Sequence, residues 1–166
     1  MAEEFSADTA TRRRWWLGVL VAGLALLLAF AGWREVQIRR AEDLRGQMLQ
    51  AARDGLIALT TIDHNQADRD VQRILDASTG GFREDFEQRA EGFKDAARKA
   101  RSISVGTVNE AAIESADGDH GRVLVAMTVM TSNRGVPEQH PKAWRTRVTV
   151  TRGDRGFKVA AVEFVA

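Results

Sequence analysis

Cysteine is missing from all 166 residues. That excludes disulfides, thiolate metal sites and a lipid-modified cysteine anchor, so packing alone must hold any exported domain together. Tyrosine is missing too, and with it the phenol that some acid–base sites place in an oxyanion hole. The only prolines, Pro137 and Pro141, fall within one short polar stretch, SNRGVPEQHP at 132–141. Neither sign of charge dominates. From Arg34 onward 21 basic face 20 acidic side chains, which leaves no electrostatic footprint for nucleic acid. The three histidines, His64, His120 and His140, stand far apart and never at i, i+4. No carboxylates cluster around them with metal-ligand spacing, and Gly-X-Ser-X-Gly and phosphate-loop patterns are absent. No catalytic residue, cofactor site or metal site is therefore expected.

What is present begins with an uncharged run of 19 residues, WWLGVLVAGLALLLAFAGW, from Trp15 to Trp33, directly after Arg12, Arg13 and Arg14. A helix of that length reaches about 28 Å, close to the ~30 Å hydrocarbon core of a bilayer. Trp15, Trp16 and Trp33 sit at its ends, where amphipathic rings favour the headgroup level. The run reads as a single membrane-spanning helix. A cleaved export signal is the rival reading, with Ala29-Phe30-Ala31 as a small-residue cleavage site and a hint of twin-arginine export. The run is long for a signal core, and a helix-favouring charged segment follows it at once. Either way the bulk of the chain is exported. Basic residues flank the run on both sides, Arg34, Arg39, Arg40 and Arg45 lying beyond it. The compact arginine triplet and short tail favour a cytoplasmic N-terminus. Gly18, Ala22, Ala25, Ala29 and Gly32 recur at spacings of four and three, a stripe of small residues suited to lateral helix packing.

The domain organisation follows: a short cytoplasmic tail over 1–14, the transmembrane helix over 15–33, a helical stalk over 34–43 and an exported α+β domain over 44–166. Ala41, Leu44, Met48, Ala52, Leu56 and Leu59 make a helical stripe continuing from the anchor. After a break in which Asp63 or Asn65 is the cap candidate, a second helix over 66–78 buries Ala67, Val71, Ile74, Leu75 and Ser78. Gly80-Gly81 reads as its closure. A third helix over 82–100 turns Phe82, Phe86, Ala90, Phe93, Ala97 and Ala100 inward.

At Arg101 the period changes to alternation. Strands are expected over 102–114, with an irregularity near Gly106, then over 123–130, 143–152 and 157–165. Asp117-Gly118 marks a hairpin, residues 132–141 a surface loop, and the nearly continuous apolar run 123–130 a strand buried on both faces or central in the sheet. In the third strand Trp144, Thr146, Val148 and Val150 face one way and Arg145, Arg147, Thr149 and Thr151 the other. Three helices followed by a four-stranded antiparallel meander make an α+β domain in which a twisted sheet wraps the helices. Arg145 and Arg147 are the candidate docking face for an acidic partner; the alternative is a solvated strand.

This order of elements looks like the cone-shaped nuclear transport factor 2-like fold. The segment ALTTIDHNQADRDVQRILDASTGGFREDF, Ala58 to Phe86, with Ala143-Trp144-Arg145 and Val162-Glu163-Phe164-Val165, resembles the Mce-associated membrane proteins. These are single-span proteins encoded beside mammalian-cell-entry lipid importers in actinobacteria. The resemblance implies a non-enzymatic accessory or stabilising subunit of an Mce-type import complex for fatty acids, mycolic acids or sterols. Its partners would be permease or ring subunits, with a lipid in the concave face as a lesser candidate. The implied location is the cell membrane, single-pass, with the C-terminal domain periplasmic. The alternative is an assembly scaffold of a type IV secretion-like complex, which shares the anchor-plus-cone architecture. A cone-fold enzyme is a third class. Ketosteroid isomerases of this fold pair an aspartate with a tyrosine; Asp63 or Asp85 would have to act here without one.

Overall fold

The computed structural model describes residues 7–165; the side chains of residues 7–25, 29, 31, 36, 137 and 138 lie outside that description. Contacts divide the chain into two compact units, Met1–Asp43 and Leu44–Ala166. The first is helical wherever it is described, as part of α1 (Ala7–Thr60). Among the described residues no helix is long and apolar enough to cross a membrane. Most side chains of the Trp15–Trp33 run fall outside them, as do Gly18, Ala22, Ala25 and Ala29 of the small-residue stripe. At Gly32 the space a Cβ would take is open. Leu26, Leu27, Leu28, Phe30 and Trp33 are all exposed.

In the second unit the expected stripe of α1 meets the sheet. Met48, Ala52 and Leu56 are buried against Val123, Val125, Met127, Val148, Val150 and Val159, with Leu44 and Leu59 at the margin. Ala41, expected on the same stripe, is exposed. Gly55 is a contact requirement: a Cβ there would lie 2.3 Å from Val159 Cγ2. A single 3-10 turn, His64–Gln66, follows β1 (Ile62–Asp63), and Asp63 caps it by accepting from Asn65 N at 2.9 Å. The helix α2 (Ala67–Ala77) then buries Ala67, Val71, Ile74 and Leu75, and Ser78 just beyond it is buried too, as its spacing predicts.

Gly80-Gly81 does not close α2. The break falls at Ser78 and Thr79, which are extended, and Gly80, with φ +58°, opens α3 (Gly80–Ala100). Ser78 Oγ donates to Ile74 O at 2.5 Å and Thr79 N to Val159 O at 2.8 Å, so the sheet, not a glycine, ends the helix. On α3 Ala90 and Ala97 are buried, Phe82, Phe86 and Phe93 half-buried, and Ala100 exposed. Phe86 and Phe93 tilt against each other with centroids 5.6 Å apart.

The sheet has five strands, not four, in the order β1-β2-β3-β4-β5, all neighbours antiparallel: β2 (Ile103–Asp117), β3 (His120–Asn133), β4 (Val136–Gly153) and β5 (Gly156–Phe164) follow β1. The extra strand is two residues long, too short for any period to reveal. β3 is central, as its apolar run suggests, but only Val123, Val125, Met127 and Val129 are buried; Leu124 between them is exposed. The irregularities of β2 lie between Val108 and Glu110 and between Ile113 and Ser115, not at Gly106. Residues 132–141 are no surface loop. Asn133 Oδ1 accepts from Gly135 N and Val136 N, closing a tight turn, and β4 starts at once with Pro141 opposite Met130.

Candidate functional site

The inner face of the sheet packs against α1, and a groove of about 310 Å³ remains between α3 and the sheet, lined by Phe93, Ala97, Ser104 and Thr131. The outer face differs. One rung across it reads Glu110–Ala126–Arg145, and the next Ala112–Leu124–Arg147. Because Ala112 and Ala126 are small, the larger side chains around them enclose a groove of about 290 Å³, lined also by Leu124 and by Val165 at the end of the chain beyond β5. Its floor is apolar. Glu110 and Arg145 stand exposed on its two sides, so it offers an apolar seat between one anion and one cation.

Of the two arginines singled out by the alternation, the structure uses them differently. Arg145 is exposed and lines the groove. Arg147 reaches across β3 to Glu114, its Nε donating to Oε2 at 2.7 Å and a terminal nitrogen to Oε1 at 2.6 Å. Arg122 and Glu163 extend this network at 3.9 and 3.7 Å. The bidentate bond from Arg147 holds the Glu114 carboxyl below the usual carboxylate range, and Glu114 in turn holds the guanidinium above its ordinary value. Much of Arg147's charge is thus answered within the chain. Glu114 sits at the second irregularity of β2, 33 positions from Arg147, a pairing that strand alternation alone cannot reveal.

The residues weighed for chemistry are dispersed. His64 follows the short first strand, with Nδ1 lying 3.6 Å from an Asp63 oxygen. Asp63 is occupied as a cap, and its bond from the Asn65 backbone N–H lowers its pKa. His120 opens β3 and faces Thr151 Oγ1 at 3.2 Å. His140 is exposed on β4. Asp85 is exposed and pairs loosely with Arg89. Among the described residues no three histidine, aspartate or glutamate side chains are grouped to hold a metal ion.

A second ionic cluster ties α2 to α3. Asp68 receives Lys94 at 3.1 Å and Arg98 at 2.5 Å, while Lys94 also meets Glu91 at 2.6 Å. The hydrogen bond from Lys94 lowers the Asp68 pKa; bonds to Glu91 and then Asp68 raise that of Lys94. Groups with lowered folded pKa stabilise fully above their unfolded values, and that contribution is lost as pH falls through the folded values. For Lys94 the sign reverses: its contribution is present below its unfolded value and disappears as pH rises through the higher folded one. The urea midpoint should therefore be level near neutrality and fall below about pH 4. In Asp68→Asn protein the acid fall should be shallower by circular dichroism; an unchanged slope would remove Asp68 from the account.

The fold defines a class: an α+β module with helices on an antiparallel sheet, similar in fold to an IcmL-like type IV secretion system protein and to an Ntf2-like protein involved in plasmid conjugation. The chain belongs to the family described as "Uncharacterized protein Rv1363c/MT1408-like", whose model matches residues 17–166. Uncharacterized protein Rv1363c of Mycobacterium tuberculosis (strain ATCC 25618 / H37Rv) is 35% identical over 147 residues, 89% of this chain; the chain spans 56% of that relative's length. Among solved structures, an IcmL-like type IV secretion system protein from Legionella pneumophila subsp. pneumophila str. Philadelphia 1 aligns with a TM-score of 0.59 at 16% identity, covering 73% of this chain and 91% of that one. The periplasmic domain of DotI aligns at 0.54 and 16%, covering 70% and 91%. An Ntf2-like protein involved in plasmid conjugation gives 0.51 and 14%, covering 74% and 49%. At such identities the likeness is one of fold.

Proposed function

We propose that this chain is a non-enzymatic, membrane-anchored scaffold subunit of a multiprotein assembly in the cell envelope, with the domain exported and the outer sheet face as a docking surface. The observation that carries this reading is the fold shared with an IcmL-like secretion protein and with the periplasmic domain of DotI. Three others support it. The uncharged run from Trp15 to Trp33 has the length of a membrane helix. The described part of that run leaves its large apolar side chains exposed, which calls for a lipid or protein cover. And the outer groove offers apolar surface without grouped chemistry.

Which machine is served is a finer question. An Mce-type lipid importer is the second reading, favoured by the resemblance of Ala58–Phe86 to the Mce-associated proteins and by a mycobacterial relative. In that setting the chain would stabilise a permease or ring subunit, the small-residue stripe from Gly18 to Gly32 packing laterally on a neighbouring helix.

The test begins with the full-length tagged chain in its native membranes. Alkaline washing should leave it bound, and release would overturn the anchor. Cross-linking followed by pull-down and mass spectrometry should recover secretion-core subunits on the first reading and Mce permease or ring subunits on the second. Ala126→Gln fills the groove floor from the solvent side. It should abolish recovery of that partner while leaving the circular dichroism unchanged. Undiminished recovery would move the docking surface elsewhere.

A further inference from the structure

The two edges of the sheet are treated differently. On the β4–β5 side, Val165 N donates to Arg145 O at 2.9 Å, so the odd-numbered residues of β4 there turn their backbone groups away from β3. Upstream of Arg145 that edge is open, and Pro141 stands at an outward position with no N–H to offer. The outer side of β5 is engaged at Val159, which bridges Ser78 and accepts from Thr79 N. Proline and partial cover are ordinary ways of blocking an edge.

The β2 side has no such block. β1 pairs only with Ile103 and Ser104, and among the described residues no strand lies beside β2 from Val105 to Asp117. That stretch contains no proline. Its free hydrogen-bonding positions follow from the alternation. His64 N donates to Ser102 O and Gly106 N to Thr61 Oγ1, so even-numbered residues face away from β3 as far as Val108. The irregularity before Glu110 then passes that role to Ala111 and Ile113. Alongside runs a groove of about 400 Å³ between this edge and α1, lined by Gly106 to Asn109 and by Gln50, Arg53, Asp54 and Ile57. An added strand would set alternate side chains into it. The charge of the edge selects the occupant: β2 carries no lysine or arginine, and beside Glu114, which Arg147 answers, it exposes Glu110 and Asp117. A second copy of β2 would bring like charges together, whereas a basic segment would not.

We propose that the free edge of β2 receives an extended, basic segment of a partner protein as a sixth strand. Main-chain bonds to Val108, Ala111 and Ile113 supply the affinity, and the exposed carboxylates of Glu110 and Asp117 with the groove beside α1 supply the selection. This surface stands on the geometry and charge of the edge and does not depend on which envelope machine the chain serves.

The probe is a fluorescent octapeptide of alternating lysine and valine, titrated against the full chain in detergent micelles. Binding is expected to weaken with salt and to protect the amides of Val108, Ala111 and Ile113 from hydrogen exchange. Ala111→Pro removes an edge-facing N–H without breaking the β2–β3 ladder, and should weaken binding by about tenfold or more. Should that variant not fold, the same peptide N-methylated at alternate residues makes the comparison on the native chain, and it should not bind. Equal binding of a control octapeptide of alternating glutamate and valine, retained binding by the N-methylated one, or unprotected edge amides at saturation would each overturn the proposal.

Discussion

Gly106→Ala is expected to lower the unfolding free energy by about 3 kcal/mol. A Cβ at this position would lie 1.9 Å from Thr60 Oγ1, 2.8 Å from Thr60 Cβ and 2.9 Å from Met127 Cε. None of the three has an easy retreat. Thr60 is buried at the end of α1 and its hydroxyl donates to Leu56 O at 2.6 Å. Turning the side chain away would strand a buried hydroxyl, at a cost of about 1–3 kcal/mol. Met127 is itself fully buried, and Gly106 N is held by Thr61 Oγ1 at 3.2 Å, so the strand cannot simply lift. The slight gain in strand propensity from alanine is far smaller. Urea unfolding followed by circular dichroism reads the loss. Adding Thr60→Ala should recover part of it, a coupling that only direct contact produces. A loss below about 1 kcal/mol would mean that α1 and β2 can separate locally at little cost.

The same contact explains an error that sequence reading makes. Within a strand pattern a lone glycine signals either an irregularity or a close backbone approach, and the two cannot be told apart without knowing what lies opposite. Here it is the approach of α1, whose end returns to Gly106 after 46 residues. Where the signal is periodic and local, reading succeeds. The buried face of α2 is visible in the spacing of Ala67, Val71, Ile74, Leu75 and Ser78, and the inward set Thr146, Val148 and Val150 in the alternation of β4. Where the determinant is a partner distant in sequence, reading fails. A two-residue β1 exists because Ile103 and Ser104 are there to pair with it. Residues 132–141 look like a loop by composition, but one asparagine side chain closes the turn and the rest pairs with β3. The outer groove is the furthest from view. Its floor consists of alanines, the least informative apolar residues, and it exists only because two strands set them side by side.

Asp70→Ala should cost as much as the glycine substitution, about 3 kcal/mol, by a different route. Asp70 belongs to a run, Ala67-Asp68-Arg69-Asp70-Val71, whose charges suggest a solvated helix start, yet it is only 4% exposed. One carboxylate oxygen accepts from Asp63 N at 2.7 Å and the other meets Arg73 at 2.9 Å, while Arg73 also donates to Thr61 O at 2.6 Å. Aspartate and arginine together thus tie the first turn of α2 to the backbone on both sides of Ile62, fixing the strand that covers the start of β2. Alanine would leave a backbone N–H and a half-exposed guanidinium without their acceptor and open a small void beside buried Val71 and Ile74. Asparagine retains an oxygen for the Asp63 N–H but not the charge that Arg73 answers, so Asp70→Asn should lose about half as much. Arg73→Ala alone should cost less than Asp70→Ala, and the double variant little more than Asp70→Ala, as for two members of one network. Urea midpoints of the four proteins decide the matter. Additive losses would mean that Asp70 acts on the Asp63 amide alone, and a loss below about 1 kcal/mol in Asp70→Ala would mean that water can replace the carboxylate at that site.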